Sequence, residues 1–273
     1  MMQCGTRLSS FPLDAERTVF MGDAPIPEWF SLTEEATPAT MKRLADSLRN
    51  LSLPIQIRFL PMQAHWFVLD SLFLASRANK EGMHANALAL TRQCIEAISV
   101  IEMGLASPSA DDVLARWERD EVTAGEVRKW LSANVWPSYG SGLWSESWSD
   151  FMAHLARAIQ PYAHYTTKLA QWQLRLCSAR LDGNPLTAVV ESRPRAYDPQ
   201  KATRITLFHG ILTFAMARIW IAASRQSDQS FQALINRFGK ALGESKYLDG
   251  RQTNWEQQFW AMVWGGDGRT VLE

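Results

Sequence analysis

Apolar residues recur every three or four positions over long stretches of this chain, a spacing that predicts α-helices. The stretch from Pro61 to Lys80 carries five of them on one predicted face: Met62, Trp66, Leu69, Phe73 and Leu74. A second stripe runs from His84 to Leu105 and predicts another long helix, which Gly104 and Pro108 end. We expect these two helices to form a hairpin, with both apolar stripes directed into a core.

The same spacing predicts helices in most of the remaining chain. They cover residues 37–50, 109–117, 123–131, 147–160, 161–181, 201–224, 227–242 and 253–264. Thr37 is the expected N-cap of the first, because Pro38 suits the first turn of a helix. The alternating pattern of a strand is confined to residues 55–60, so the sequence predicts an all-α protein.

Three segments follow from this pattern. Residues 1–60 form an irregular arm and a helix, residues 61–182 a helical core, and residues 183–273 a C-terminal helical layer packed on that core. The stretch 205–223 is long and apolar enough to cross a membrane, but it contains His209 and Arg218. Because an arginine near the centre of a membrane helix is costly, we expect a core helix and no contact with a membrane.

Composition narrows the class of protein. The 273 residues are 47% hydrophobic, and 28 basic side chains balance 28 acidic ones, a profile that excludes disordered and collagen-like chains. Zero net charge argues against coating nucleic acid through bulk charge, but it leaves room for a local basic pocket. Cys4, Cys94 and Cys177 are too few and too dispersed for a disulfide framework or a zinc knuckle. No signal peptide is visible at the N-terminus, so we expect a cytoplasmic protein.

Candidate chemistry rests on the five histidines, since the sequence lacks HExxH, P-loop, GxGxxG and GxSxG motifs. On one predicted helix face, Glu146, Asp150 and His154 lie four residues apart, and Arg157 follows three residues later. His164 lies a further seven residues on, and it shares this face if the helix continues past Pro161. The alternative is a solvated helix face with an Asp150–His154 pair.

An arginine, two histidines and a carboxylate suit RNA cleavage without a metal. That reaction needs a base for the 2′-hydroxyl proton, a cation for the phosphate and an acid for the leaving oxygen. Histidine transfers protons near neutral pH, and a guanidinium offers phosphate two parallel donors. Arg92 and Glu96, four residues apart on a largely apolar helix, form either a second phosphate contact or a structural ion pair.

The order of an apolar helix, the segment HANALALTRQCIEAI, a Trp-rich loop and the segment LARAIQPYAHYT resembles the HEPN superfamily. It is most similar to a bacterial branch with an Arg-x-x-x-Glu helix, here Arg92 and Glu96, before an Arg-x(4 to 6)-His motif. Four of the five histidines have an arginine at a matching distance, so position late in the helical domain selects Arg157 and His164. The resemblance covers residues 61–181.

This resemblance implies an antiparallel helical bundle and a metal-independent endoribonuclease of a toxin or antiviral defence system. His164 is then the general base or acid, Arg157 stabilises the phosphate, and His154 or Asp150 assists. The resemblance also implies an RNA substrate, a homodimer and a protein partner such as an antitoxin, with no cofactor and no metal. Arg92 joins Arg193 and Arg195, in the basic stretch ESRPRAYDPQKATR, as candidate substrate-binding residues.

A different class of function stays open. The chain also fits a non-catalytic helical interaction or scaffold protein that binds a partner through its tryptophans, four of which cluster at positions 130, 136, 144 and 148. Ala158 and Ile159, where the family more often has a polar residue after the arginine, and Pro161 favour this alternative. We expect His65, His84 and His209 to be hydrogen-bonded structural residues in either case.

Overall fold

The computed structural model describes residues 26–106, 110–180, 187–192, 195, 197–224 and 226–245. These residues form nine α-helices and one two-stranded sheet. The helices are α1 Glu28–Arg49, α2 Leu60–Lys80, α3 His84–Ala106, α4 Asp111–Glu118, α5 Ala124–Asn134, α6 Trp148–Ile159, α7 Thr167–Ala170, α8 Pro199–Ala223 and α9 Gln229–Gly243. Strand β1 is Leu174–Arg180 and strand β2 is Thr187–Ser192, paired antiparallel. The prediction of an all-α bundle is confirmed, with this hairpin as an addition to it.

Helix α8 lies at the centre of the bundle. Every side chain from Lys201 to Ala217 is buried, so α8 has no solvent face over more than four turns. Helices α1, α2, α3 and α9 surround it. Its length and apolar composition would suffice to cross a membrane, but most of its side chains are buried inside the protein, as expected for a core helix.

Helix α9 is held on α1 by a charged contact at its first turn. The Asp228 carboxylate caps α9 by accepting hydrogen bonds from the Phe231 amide at 2.9 Å and the Ser230 hydroxyl at 2.8 Å. It also accepts one from Arg43 Nη2 of α1 at 2.6 Å, and that guanidinium stacks 4.2 Å from the centre of the Phe231 ring. These contacts hold the pKa of Asp228 well below its ordinary value, chiefly through the Phe231 amide and then the Arg43 guanidinium.

Helices α2 and α3 form the predicted hairpin, and Gly82 makes the turn between them. Its φ of 74° lies in the left-handed region that favours glycine, and the Met83 amide closes the turn on the Ala78 carbonyl at 2.8 Å. One core, running from Trp29 to Leu242, connects all three segments drawn from the sequence. The division into three segments therefore stays a prediction about organisation within a single core.

The predicted core face of α2 is largely wrong. Helix α2 turns Val68, Leu72 and Ala75 into the bundle, whereas three members of the predicted stripe are exposed: Trp66, Phe73 and Leu74. Together with Phe59 and Phe67 they form a row of large apolar side chains that point away from the core, each between 39% and 63% exposed. This row, Phe59, Trp66, Phe67, Phe73 and Leu74, is called the α2 stripe below.

Three predicted elements differ from the structure for local reasons. Helix α1 begins at Glu28 rather than at Thr37 and includes Pro38, because Trp29, Phe30 and Leu32 pack into the core and extend it. Residues 55–59 form a turn and not a strand. The helix predicted over 161–181 is reduced to the single turn of α7: a 3₁₀ turn at Gln160–Tyr162 precedes it, and β1 occupies the last third of the range. The helix predicted at 253–264 lies outside the described residues.

A substitution at Gly239 tests the packing of α9 on α8. A Cβ at this position would lie 2.5 Å from Phe214 Cε2 on α8, so we expect Gly239→Ala to lower the free energy of unfolding by about 1–3 kcal/mol. The matched control is Gly125→Ala in α5, where the nearest atom would be Thr123 Oγ1 at 3.7 Å. That change should leave stability unchanged or raise it by up to about 1 kcal/mol, because alanine favours helix. Urea denaturation measures both, and equal effects would contradict this packing.

Candidate functional site

Helix α6 carries three of the predicted catalytic residues on its outer side. The Ser147 hydroxyl caps the helix by accepting from the Asp150 amide at 3.1 Å, and it donates to Asp150 Oδ2 at 2.7 Å. Asp150 and Arg157 are exposed, and His154 is half-buried. The opposite side of α6 packs into the core. The predicted sharing of one face thus holds for Asp150, His154 and Arg157.

Glu146 does not belong to that face, contrary to the prediction. It precedes the N-cap, and its carboxylate turns back to accept from the amides of Leu143 at 3.1 Å and Trp144 at 3.0 Å. Gly142 makes this loop possible, because a Cβ there would lie 2.5 Å from Glu146 Oε1. Glu146 is therefore a loop-closing residue.

The chain changes direction at the end of α6, before His164. Helix α6 ends at Ile159, and the 3₁₀ turn Gln160–Tyr162 places Pro161 in its first positions, where proline is tolerated. Tyr162 is buried edge-on against Trp172, with ring centres 6.0 Å apart, which fixes this connection to the core. His164 follows as an exposed residue. It lines a groove to which Arg157 does not contribute.

This groove is open and has a volume of about 830 Å³. It lies between four helices, α2, α3, α4 and α5, and the connection after α6. Its polar lining comprises Gln63, Arg92, Gln93, Glu96, Gln160 and His164. Phe67 and Trp117 contribute aromatic rings, and small aliphatic side chains complete the lining. The groove therefore combines flat apolar surfaces with one histidine and one arginine–glutamate pair.

Arg92 is the best-held polar residue of the groove. Its side chain is only 9% exposed, and Nη2 donates to Glu96 Oε1 at 2.7 Å and to Gln160 Oε1 at 2.9 Å. The contact with Glu96 is an ion pair within α3, as one of the two sequence interpretations expected. The contact with Gln160 links α3 to the turn that leads to His164. Arg92 thus fixes the position of the segment that carries the histidine.

A second arginine, Arg128 of α5, lies close to this pair. Burial lowers the pKa of Arg128, and the nearby positive charge of Arg92 lowers it further, while Glu96 acts in the opposite direction. Two guanidinium nitrogens, Arg92 Nε and Arg128 Nη1, are buried without a hydrogen-bond partner in the described part of the chain. Two cations therefore share one half-exposed carboxylate, which leaves a local excess of positive charge and of donors.

Three other histidines are structural, as expected. His84 accepts from the Asp198 amide at Nε2 (3.0 Å), so its proton is on Nδ1, which donates to Asn79 Oδ1 at 2.8 Å. His209 donates from Nε2 to Thr91 Oγ1 at 2.8 Å, because the Thr91 hydroxyl already donates to the Ala87 carbonyl. Burial lowers the pKa of both rings to about 4. His65 is also buried, at 3.1 Å from the Met41 carbonyl, and burial lowers its pKa too.

The remaining predicted residues either do not line this groove or lie outside the residues that the structure describes. Arg195 is exposed in a turn before α8, and Arg193 lies outside the described residues. Of the clustered tryptophans, Trp136 and Trp148 are buried and hold the loop between α5 and α6 on the core, and Trp144 Nε1 donates to the Gly243 carbonyl at 3.2 Å. Over the described ranges, no three His, Cys, Asp or Glu side chains group as metal ligands would.

Comparisons with family models, with curated proteins and with solved structures give no match. The HEPN resemblance therefore stays a prediction, and so do the functions it implies.

Sequence reasoning missed two residues of this site, Gln160 in the groove and Arg128 close to Arg92. Gln160 joins the site because the helix ends one residue earlier, a break that Pro161 signals. Arg128 comes from a different helix, and no spacing relates it to Arg92 or His164. Its position near Arg92 results from the packing of α5 on α3.

The buried histidines make the free energy of unfolding depend on pH below neutrality. For both His84 and His209 the folded-state pKa of about 4 is below the ordinary value of 6.5, so the unfolded chain binds more protons between these values. The contribution of each neutral ring to the free energy of unfolding is fully present above pH 6.5. It falls progressively toward pH 4, by about 3 kcal/mol for each ring. In urea denaturation, His209→Gln should lose less stability than the wild type over this interval. Parallel losses in both proteins would contradict the buried neutral ring.

Proposed function

We propose that this protein is a metal-independent endoribonuclease whose reacting phosphate binds in the groove that Arg92 and His164 line. The observation that carries the proposal is that Arg92 lines the same groove as His164, with the positive charge of Arg128 close to it. Phosphate has the charge and acceptors to satisfy such donors, and arginine binds it bidentately. The resemblance to HEPN nucleases supports the same chemistry.

The residues take defined roles in this proposal. His164, exposed and therefore accessible, removes the proton from the 2′-hydroxyl, and the 2′-oxygen attacks the adjacent phosphorus. Arg92 stabilises the negative charge that grows on the phosphate oxygens, and the nearby positive charge of Arg128 adds to this stabilisation. The bond from phosphorus to the 5′-oxygen breaks, and the imidazolium of His164 returns the proton to that oxygen. The products are a 2′,3′-cyclic phosphate and a 5′-hydroxyl.

The rest of the groove and α6 fit a single-stranded substrate. Phe67 and Trp117 offer ring faces on which unpaired bases stack. Arg157, one turn before Gln160 on the exposed side of α6, extends positive charge toward the solvent and contacts a flanking phosphate. Asp150 and His154 lie on the same side of α6 as this arginine. A toxin or antiviral role is the biological setting that the resemblance implies.

A second candidate function rests on the α2 stripe. Five large apolar side chains on one side of a helix are typical of a surface that binds another protein. In this alternative the chain is a non-catalytic helical interaction protein, and the groove serves no chemistry.

Cleavage of single-stranded RNA in EDTA tests the first proposal. We expect the wild type to cut RNA and to leave DNA of the same sequence intact, since DNA lacks the 2′-hydroxyl. His164→Ala should slow cleavage by at least about 10²-fold, as is typical of a lost general base. Tyr165→Ala is the matched control, because Tyr165 is adjacent and 76% exposed but does not line the groove.

Arginine variants separate the proposed contacts. Arg128→Gln should slow the cleavage step, whereas Arg157→Ala should weaken RNA binding with a smaller effect on the maximal rate. Circular dichroism checks that each variant is folded. Equal cleavage by the wild type and His164→Ala, or no cleavage by any of them, would contradict the nuclease and favour the interaction protein.

A further inference from the structure

Two side chains of the groove occupy one nitrogen of Arg92. Nη2 has two hydrogen atoms, and two acceptors take them, Glu96 Oε1 at 2.7 Å and Gln160 Oε1 at 2.9 Å. A guanidinium binds phosphate bidentately through two nitrogens, either Nη1 and Nη2 or Nε and Nη2, and both pairs include Nη2. A bidentate contact of Arg92 with phosphate therefore requires Glu96 or Gln160 to move away.

Glu96 is the acceptor that an anion replaces at the lower cost. Its carboxylate is negative and repels a phosphate, whereas the Gln160 amide is neutral and its nitrogen can donate to a phosphate oxygen. The Glu96 side chain is 46% exposed, so it can turn into solvent, where water solvates the carboxylate. Gln160 can keep its place beside a phosphate that Glu96 cannot share.

The charge of the site also depends on where Glu96 lies. Among the described residues that line the groove, Glu96 carries the only negative charge. It pairs directly with Arg92, and it opposes the burial and the Arg92 charge that together lower the pKa of Arg128. One carboxylate thus offsets part of the positive charge of two guanidinium groups. When Glu96 turns away, both cations act on the ligand without this offset.

We propose that Glu96 is an autoinhibitory carboxylate, which occupies Arg92 in the free protein and which a phosphodiester displaces when it binds in the groove. This inference rests on the proposed function, because it describes how the groove admits its phosphate. It reverses the sign that a purely structural ion pair implies. Removal of the Glu96 charge should strengthen the binding of RNA, whereas loss of a structural pair would weaken it or leave it unchanged.

Calorimetry on the full chain, with a single-stranded 2′-O-methyl RNA that cannot be cleaved, tests this displacement. Glu96→Gln keeps the length of the side chain and an oxygen acceptor for Arg92, but it removes the charge. The variant should bind the RNA at least about fivefold more tightly, which is the effect of two unit charges about 4 Å apart in water. Circular dichroism checks that the variant keeps its helices.

Glu81→Gln is the matched control. Glu81 is also the acidic member of an ion pair between residues four apart on a helix, with Arg77 at 3.4 Å, and its side chain is 47% exposed. It does not line the groove, so this variant changes the net charge by the same amount and leaves the site intact. Its affinity for the RNA should stay within about twofold of the wild type, because salt screens distant surface charges.

The carboxyl carbon of Glu96 reports the displacement directly. In wild-type protein with ¹³C-labelled glutamate, its resonance should move toward that of a solvated glutamate as the RNA saturates the groove. The resonance of Glu81 should not move. Saturating RNA that leaves the Glu96 resonance in place would overturn the displacement.

The binding results separate this inference from the proposed function. A wild type that binds RNA, together with a Glu96→Gln variant that binds it equally or more weakly, would overturn the inference and leave the phosphate site in place. An equal gain in Glu81→Gln would also overturn it, because net charge alone would then account for the effect. No binding by any of the three proteins would contradict the proposed function, and the inference with it.

Discussion

The burial of α8 on all sides is the constraint on which the rest of this fold depends. A helix without a solvent face needs a complete shell of neighbours, and α1, α2, α3 and α9 provide it. The N-terminus of α8 is fixed by polar contacts: Asn79 Nδ2 donates to the Ala202 carbonyl at 3.0 Å, and His84 accepts from the Asp198 amide at 3.0 Å. Because these contacts begin at the α2–α3 turn, they set the hairpin and the central helix relative to each other.

The candidate groove and the α2 stripe both follow from this arrangement. Helix α2 packs Val68, Leu72 and Ala75 into the core. Its opposite side, which carries the aromatic residues, is therefore exposed. Helix α3 packs against α8 and presents Arg92 and Glu96 on another side, where α5 and the connection after α6 meet it. The groove is thus a place where three separate parts of the chain converge on a rigid helix. Such rigid support is what a phosphate-binding site requires.

The sequence predicted the long helices well, because their periodicity is strong and glycine or proline ends them. It could not choose the buried side of α2, since that helix has apolar residues on two sides and only the position of α8 decides between them. Helix α6 does not continue past Pro161, because the 3₁₀ turn at Gln160 changes the direction of the chain. For the candidate site, the motifs indicated His164 and Arg92, but they did not predict that both residues line one groove. Gln160 and Arg128 reach Arg92 through tertiary packing, which no spacing in the sequence encodes.

In the proposed function, the groove beside His164 receives the phosphate backbone of single-stranded RNA. Nuclear magnetic resonance of the histidine rings, during titration with a single-stranded 2′-O-methyl RNA that cannot be cleaved, tests this claim directly. We expect a saturable shift of the His164 resonances, with the resonances of the buried His84 and His209 rings unchanged. Saturating oligonucleotide that leaves the His164 resonances unmoved would contradict it.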